Sequence, residues 1–182
     1  MPDTQTPVDE AYARYEILSN ILERTRQQAL ANPMHRRNIE LGLTKQFRTR
    51  NEVEKDIQDA FEDLTNLINH LAIIDMAAAF EGYLRPRLGT AIGEARRLLR
   101  ENYELEPFLQ SREKLVHETD DFQGLARIRE LIGGHLSAET SATLSQIRED
   151  RNNFAHGTNI RVPPTTTTKR TRETLNSIIE VV

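Results

Sequence analysis

Between residues 53 and 78 the apolar side chains fall at Val53, Ile57, Ala60, Leu64, Leu67, Leu71, Ile74 and Ala78. Steps of three and four residues mark one face of an α-helix, whereas a strand repeats its face every second residue. A chain organised this way buries its apolar surface by packing helix on helix. The same signal recurs upstream. Thr6, Pro7, Asp9 and Glu10 form an N-cap, a first-turn proline and acids suited to the positive end of a helix. Val8, Tyr12, Tyr15, Leu18, Leu22 and Ala29 then continue a stripe that ends before Pro33.

Other helices follow from their punctuation. Asn51 with Glu54 has capping-box spacing and opens a helical region reaching Arg85, with a break expected near Asn69-His70 and closure at Pro86 and Gly89. Shorter helices are expected over 90–103, 107–118 and 122–133, the last stopped by Gly133-Gly134. Ser137 caps the helix carrying Leu144, Ile147 and Phe154, and a terminal helix runs from Glu173 to Val182 after a Pro163-Pro164 and threonine loop. No segment shows sustained strand alternation. The chain therefore reads as all-α: an N-terminal helix and basic connector over 1–45, then a compact helical domain over 46–182. The basic segment from Pro33 to Arg50, which runs past that boundary, carries Arg36, Arg37, Lys45, Arg48 and Arg50 and also suits a solvated loop.

Composition narrows the chemistry. The 182 residues include no cysteine, which removes disulfides, thiolate metal sites and cysteine nucleophiles. The five histidines show no metal-ligand spacing such as H-E-x-x-H, and no glycine-rich phosphate loop follows a strand, so neither metal nor cofactor is expected. No apolar run approaches the roughly 18 residues of a membrane span. Met1 to Thr4 lacks the basic and apolar regions of a secretory signal, so the expected location is the cytoplasm. A net charge of -4 argues against a broad non-specific grip on nucleic acid, though not against a local basic patch.

Candidate chemistry concentrates in Arg151-Asn152-Asn153-Phe154-Ala155-His156-Gly157. Arginine offers a permanent charge and a donor fork for phosphate oxygens. Histidine is the side chain that ordinarily exchanges a proton near neutrality. Spacing alone decides little, because a shuffled chain of this composition contains Arg-x4-His about every second time. Arg112 to His117 is a second copy, in a charged stretch that reads as a solvated face, and Arg129 to His135 is a near copy. Position distinguishes the first. Arg151 shares a stripe with Leu144, Ile147 and Phe154, and Gly157 marks a helix end at which His156 can turn toward the same ligand. Upstream, Glu81 lies with Ile74, Ala77 and Leu84, and Asp75 with Leu71 and Ala78. An arginine and an acid that both point inward are expected to pair, with Glu81 the first partner for Arg151 or His156 and Asp75 the reserve. An internal salt bridge beside a surface histidine is the plainer alternative.

These residues resemble the HEPN superfamily, compact helical domains that include metal-independent endoribonucleases. Its motif is Arg, four to six residues, then His, with a polar residue after the arginine; here Asn152 takes that place. The helix Ile73-Ile74-Asp75-Met76-Ala77-Ala78-Ala79-Phe80-Glu81-Gly82-Tyr83-Leu84 is similar to the small-residue helix of prokaryotic members, which carries an acid at the position of Glu81. The resemblance spans roughly 50–182. It implies cleavage of single-stranded RNA through the substrate's own 2′-hydroxyl, with His156 as acid or base, Arg151 on the scissile phosphate and Asn152 orienting either. It also implies a homodimer that joins two Arg151–His156 sets in one cleft, expected here through the helix bearing Arg151. Arg161, Lys169, Arg170 and Arg172 are the candidate RNA contacts, or equally ordinary surface charge. Small proteins of this family often resemble toxin or defence components, with an antitoxin or other regulatory protein as a possible partner. Inactive members imply the alternative, a silent module that binds RNA, a nucleotide or another protein.

Overall fold

The computed structural model describes residues 5–32, 49–101, 124–157 and 161–181. Among these residues the architecture is all-α: helix α1 is Pro7–Ala31, α2 is Arg50–Glu101, α3 is Gly124–Ile132, α4 is Ala138–Ala155 and α5 is Thr168–Ile179. A single 3₁₀ turn, Gly133–His135, joins α3 to α4. The connector residues 33–48 and the helix expected over 107–118, with Arg112 and His117, lie outside the described residues.

Local chemistry starts most of these helices. Thr6 accepts the Asp9 amide at 3.0 Å, and Asp9 Oδ2 accepts the Thr6 amide at 3.1 Å, a reciprocal capping box. The box that opens α2 falls two residues before the expected one: Thr49 donates its amide to Glu52 Oε2 at 2.8 Å. Glu54, the acid first expected there, pairs instead with Arg50 at 2.8 Å. Ser137 caps α4 as its sequence suggests, accepting from Thr140 at 3.1 Å. Thr167 does the same for α5, which therefore begins at Thr168 and not at Glu173. The threonine run read as loop contains a cap of its own.

Helix α2 corrects the sequence reading most. It runs unbroken through Asn69-His70 and past Pro86. At the first point tertiary contacts hold the backbone: the buried His70 binds the Val162 carbonyl at 2.9 Å, and Asn66 donates to the Arg161 carbonyl at 3.3 Å. At the second, Pro86 leaves the carbonyl of the exposed Gly82 without its helical partner, where water can replace it. The helix resumes at once, with Thr90 donating to the Pro86 carbonyl at 3.0 Å and the Arg87 guanidinium 3.6 Å above the Tyr83 ring.

Among the described residues two apolar clusters hold the bundle. The larger joins Ile73, Met76, Phe80 and Leu84 of α2 to Leu125 and Ile128 of α3, Leu144 and Ile147 of α4, and Leu175 and Ile178 of α5; Val8 and Ala11 bring α1 into it. The smaller packs Ala29 of α1 against Val53, Ile57 and Phe61 of α2. Helices α1 and α2 therefore run antiparallel. Only the first two residues of the α2 stripe read from sequence are core. Beyond Ile57 the buried face moves around the helix, leaving Leu64 37% and Leu71 49% exposed.

Candidate functional site

Glu81 is buried on α2 and accepts two hydrogen bonds at one oxygen. The amide of Leu125, in the first turn of α3, donates to Glu81 Oε1 at 2.9 Å, and Arg151 Nη1 of α4 donates to the same atom at 2.5 Å. The positive end of α3 thus faces a carboxylate that also holds a guanidinium. Gly124 starts α3 at φ 78°, and a Cβ there would come within 3.6 Å of that carboxylate oxygen. A residue other than glycine would be strained by the backbone, while its Cβ would meet the anion only at ordinary contact distance.

The pairing expected from the two apolar stripes is present. The Glu81 side chain is 10% exposed and that of Arg151 35% exposed, so the arginine is anchored on its inner side while part of its fork meets solvent. Asp75, the reserve partner, is directed elsewhere: it accepts from Arg14 of α1 at 2.8 Å. Its flank of α2 faces α1 and not α4.

Helix α4 ends where the sequence marks an end. His156 is the C-cap, its amide bonded to the Asn152 carbonyl at 3.0 Å, and Gly157 takes φ 84°. The His156 and Asn152 side chains are exposed. The last turns of α4 therefore carry an arginine fixed from behind, an exposed amide beside it and, about 140° further around, an exposed imidazole. Such a surface can hold a phosphate on the guanidinium and exchange a proton through the ring. The near copy is different: Arg129 donates to Ser141 at 3.1 Å, and His135 ends the 3₁₀ turn.

Three residues that support this turn carry no obvious motif. Asp150, beside Arg151, is buried; its two oxygens accept the amides of Thr165 at 2.9 Å and Thr166 at 2.8 Å, tying the chain before α5 to α4. Phe154 stacks on His70 with ring centroids 5.1 Å apart. The Val162 carbonyl can only accept, so His70 carries its proton on Nε2. The signal for Asp150 was an acid three residues after Ile147, on the inward face. For His70 the only hint was a polar residue inside an apolar helix.

The four candidate RNA contacts are dispersed. Arg161 lies 3.5 Å from Asp63 of α2, Lys169 3.8 Å from Glu173 within α5, and Arg170 3.3 Å from Glu139 in the first turn of α4. Glu139 and Arg151 are at opposite ends of α4, roughly 18 Å apart along the axis. Arg172 turns to α1, where it donates to Asp9 at 2.7 Å and lies 4.8 Å above the Tyr12 ring. Burial pushes the Asp9 carboxyl up, but hydrogen bonds from Arg172, Thr6 and Asn176 outweigh it and hold the group below its usual value. Burial and Glu16 push the Tyr12 hydroxyl up, and the Asp9 bond raises Arg172.

Among the described residues no three His, Asp or Glu side chains gather as a metal site needs, and no helix is long and apolar enough to cross a membrane. In comparisons with known proteins, no family model, curated protein or solved structure matches this chain.

Proposed function

We propose that the chain is a metal-independent endoribonuclease of the HEPN kind, working at the C-terminal turn of α4. One observation carries the reading: Arg151 is held from behind by the buried Glu81, while Asn152 beside it and His156 at the helix end stand exposed. A preset guanidinium stabilises charge on phosphate oxygens without reorganising during the reaction. In the proposed step the 2′-oxygen of the RNA bonds to phosphorus and the bond to the 5′-oxygen breaks. A 2′,3′-cyclic phosphate and a free 5′-hydroxyl result. One histidine takes the 2′ proton and another delivers a proton to the 5′-oxygen. Each chain offers one His156, so the second comes from another copy.

The test is cleavage of mixed-sequence RNA in the presence of EDTA. Arg151→Ala and His156→Ala should each lower the rate by roughly 10²–10⁴-fold while remaining folded. Arg112→Ala and His117→Ala should cut normally. Cleavage that requires added divalent metal, or that depends on His117, overturns the assignment. A second reading has its own support, since Glu81 already neutralises Arg151: RNA binding without cleavage, unchanged by His156→Ala, identifies a silent binding module.

A further inference from the structure

The α2 residues Ala60, Leu64, Leu67, Leu71, Ile74 and Ala78 form an apolar stripe turned roughly 130° away from Ile73, Ala77, Phe80 and Leu84, which build the core. Leu64 and Leu71 are 37% and 49% exposed, and nearby on α1 Leu18 and Ile21 are 53% and 56% exposed. Leu18, Ile68, Leu71 and Ala78 line one apolar groove. No ionised side chain interrupts the stripe. The acids flanking it, Asp63 and Asp75, are paired in their own chain with Arg161 and Arg14. The steps alternate four and three residues, the spacing of the positions by which one helix packs its side chains into the gaps of another.

The stripe also says which helix fits. Its side-chain sizes read the same in both directions about a point midway between Leu67 and Leu71: small, large, large, then large, large, small. An antiparallel second copy sets Leu67 against Leu71, Leu64 against Ile74 and Ala60 against Ala78. Self-complementarity of this kind is what a two-fold interface requires. We infer that two copies of this chain pair antiparallel through the α2 stripe, about a two-fold axis at the level of Asn69. The contact spans residues 60–78, about 27 Å of helix. It stops where the stripe turns inward, at Ile57 beneath α1 and at Glu81 on Arg151.

This pairing locates the second histidine, a consequence that rests on the endoribonuclease reading. His70 and Glu81 lie on one flank of the stripe, and through Phe154 and Arg151 they hold α4 there. Asp75 lies on the other flank and holds α1. A two-fold axis normal to the helix pair keeps each flank on its own side, so both α4 helices fall on the same side of the seam. His70 is one residue from the axis, which puts the C-terminal turn of α4 near the dyad. Each Arg151 is held at Glu81, twelve residues or about 18 Å along the helix from the axis, so the two motifs line one long cleft with an arginine toward each end. The dimer contact is on α2, not on the helix bearing the motif.

The full-length protein should sediment at twice its 20.9 kDa chain mass. Leu64→Glu with Leu71→Glu should give a monomer with unchanged helical circular dichroism, because both side chains are already partly solvated. A monomeric wild type, or a double variant that stays dimeric, overturns the inference. Register is tested by oxidative cross-linking, which the absence of native cysteine makes clean. A Leu64→Cys chain mixed with an Ile74→Cys chain should cross-link. Neither alone should do so, since identical positions lie about 15 Å apart along the seam, beyond disulfide reach. Self-linking of Leu64→Cys would mean parallel pairing and refute the proposal. RNase activity separates the two readings. A dimeric wild type without activity removes the nuclease and leaves the interface, whereas a monomeric double variant that cuts at full rate removes the shared cleft.

Discussion

Replacing Glu81 tests whether the buried carboxylate or only its shape organises the site. Glu81→Leu removes the acceptor of two donors at once, Arg151 Nη1 and the Leu125 amide. Breaking a fully buried ion pair costs about 3–5 kcal/mol because the survivor is left charged and dry. Arg151 keeps 35% side-chain exposure, so it can rehydrate and its share falls to about 1–2 kcal/mol. The Leu125 amide belongs to a buried residue, and leaving it without an acceptor adds about 1–2 kcal/mol. The expected loss is therefore about 3 kcal/mol, a large part of the roughly 5–15 kcal/mol that holds a domain together. Glu81→Gln keeps an amide oxygen for both donors and loses only the charge, at about 1 kcal/mol. Urea unfolding followed by far-ultraviolet circular dichroism reads both, as a drop in midpoint with an unchanged slope. The reasoning is refuted if the leucine variant unfolds within about 0.5 kcal/mol of wild type, inside the range of ordinary surface substitutions. It also fails if glutamine is as damaging as leucine. In RNA cleavage, Glu81→Gln should weaken the rate less than His156→Ala, since Glu81 positions the arginine and transfers no proton.

Asp150→Ala removes the acceptors of the Thr165 and Thr166 amides, so stability should fall by about 2–3 kcal/mol and hydrogen exchange at those two amides should accelerate. Unchanged exchange would show that the carboxylate does not hold this chain segment. Asp9 has a folded pKa below its unfolded value, so its contribution is complete above about pH 4 and is lost as pH falls through the lower folded value. Asp9→Asn should flatten the loss of stability below about pH 4, and an acid limb identical to wild type in thermal melts would remove Asp9 as its cause.

The sequence by itself determined the kind of structure. Helical periodicity, Thr6, Ser137 and Gly157 are local signals, and each acts within a turn or two of the residue that carries it. It also indicated that Glu81 and Arg151 would meet, because each is a charge on an inward face and an isolated buried charge is too costly to keep. Tertiary contacts decided the rest. Helix α2 stays whole through Asn69-His70 because Val162 and Phe154 arrive from about ninety residues away to satisfy the buried ring. The stripe that reads as core from Leu64 to Ala78 lies largely on the surface, because α1 and α4 take the flanks of α2 on either side of it. Periodicity states which residues share a face of a helix. Which face is buried depends on neighbours that only the assembled fold supplies.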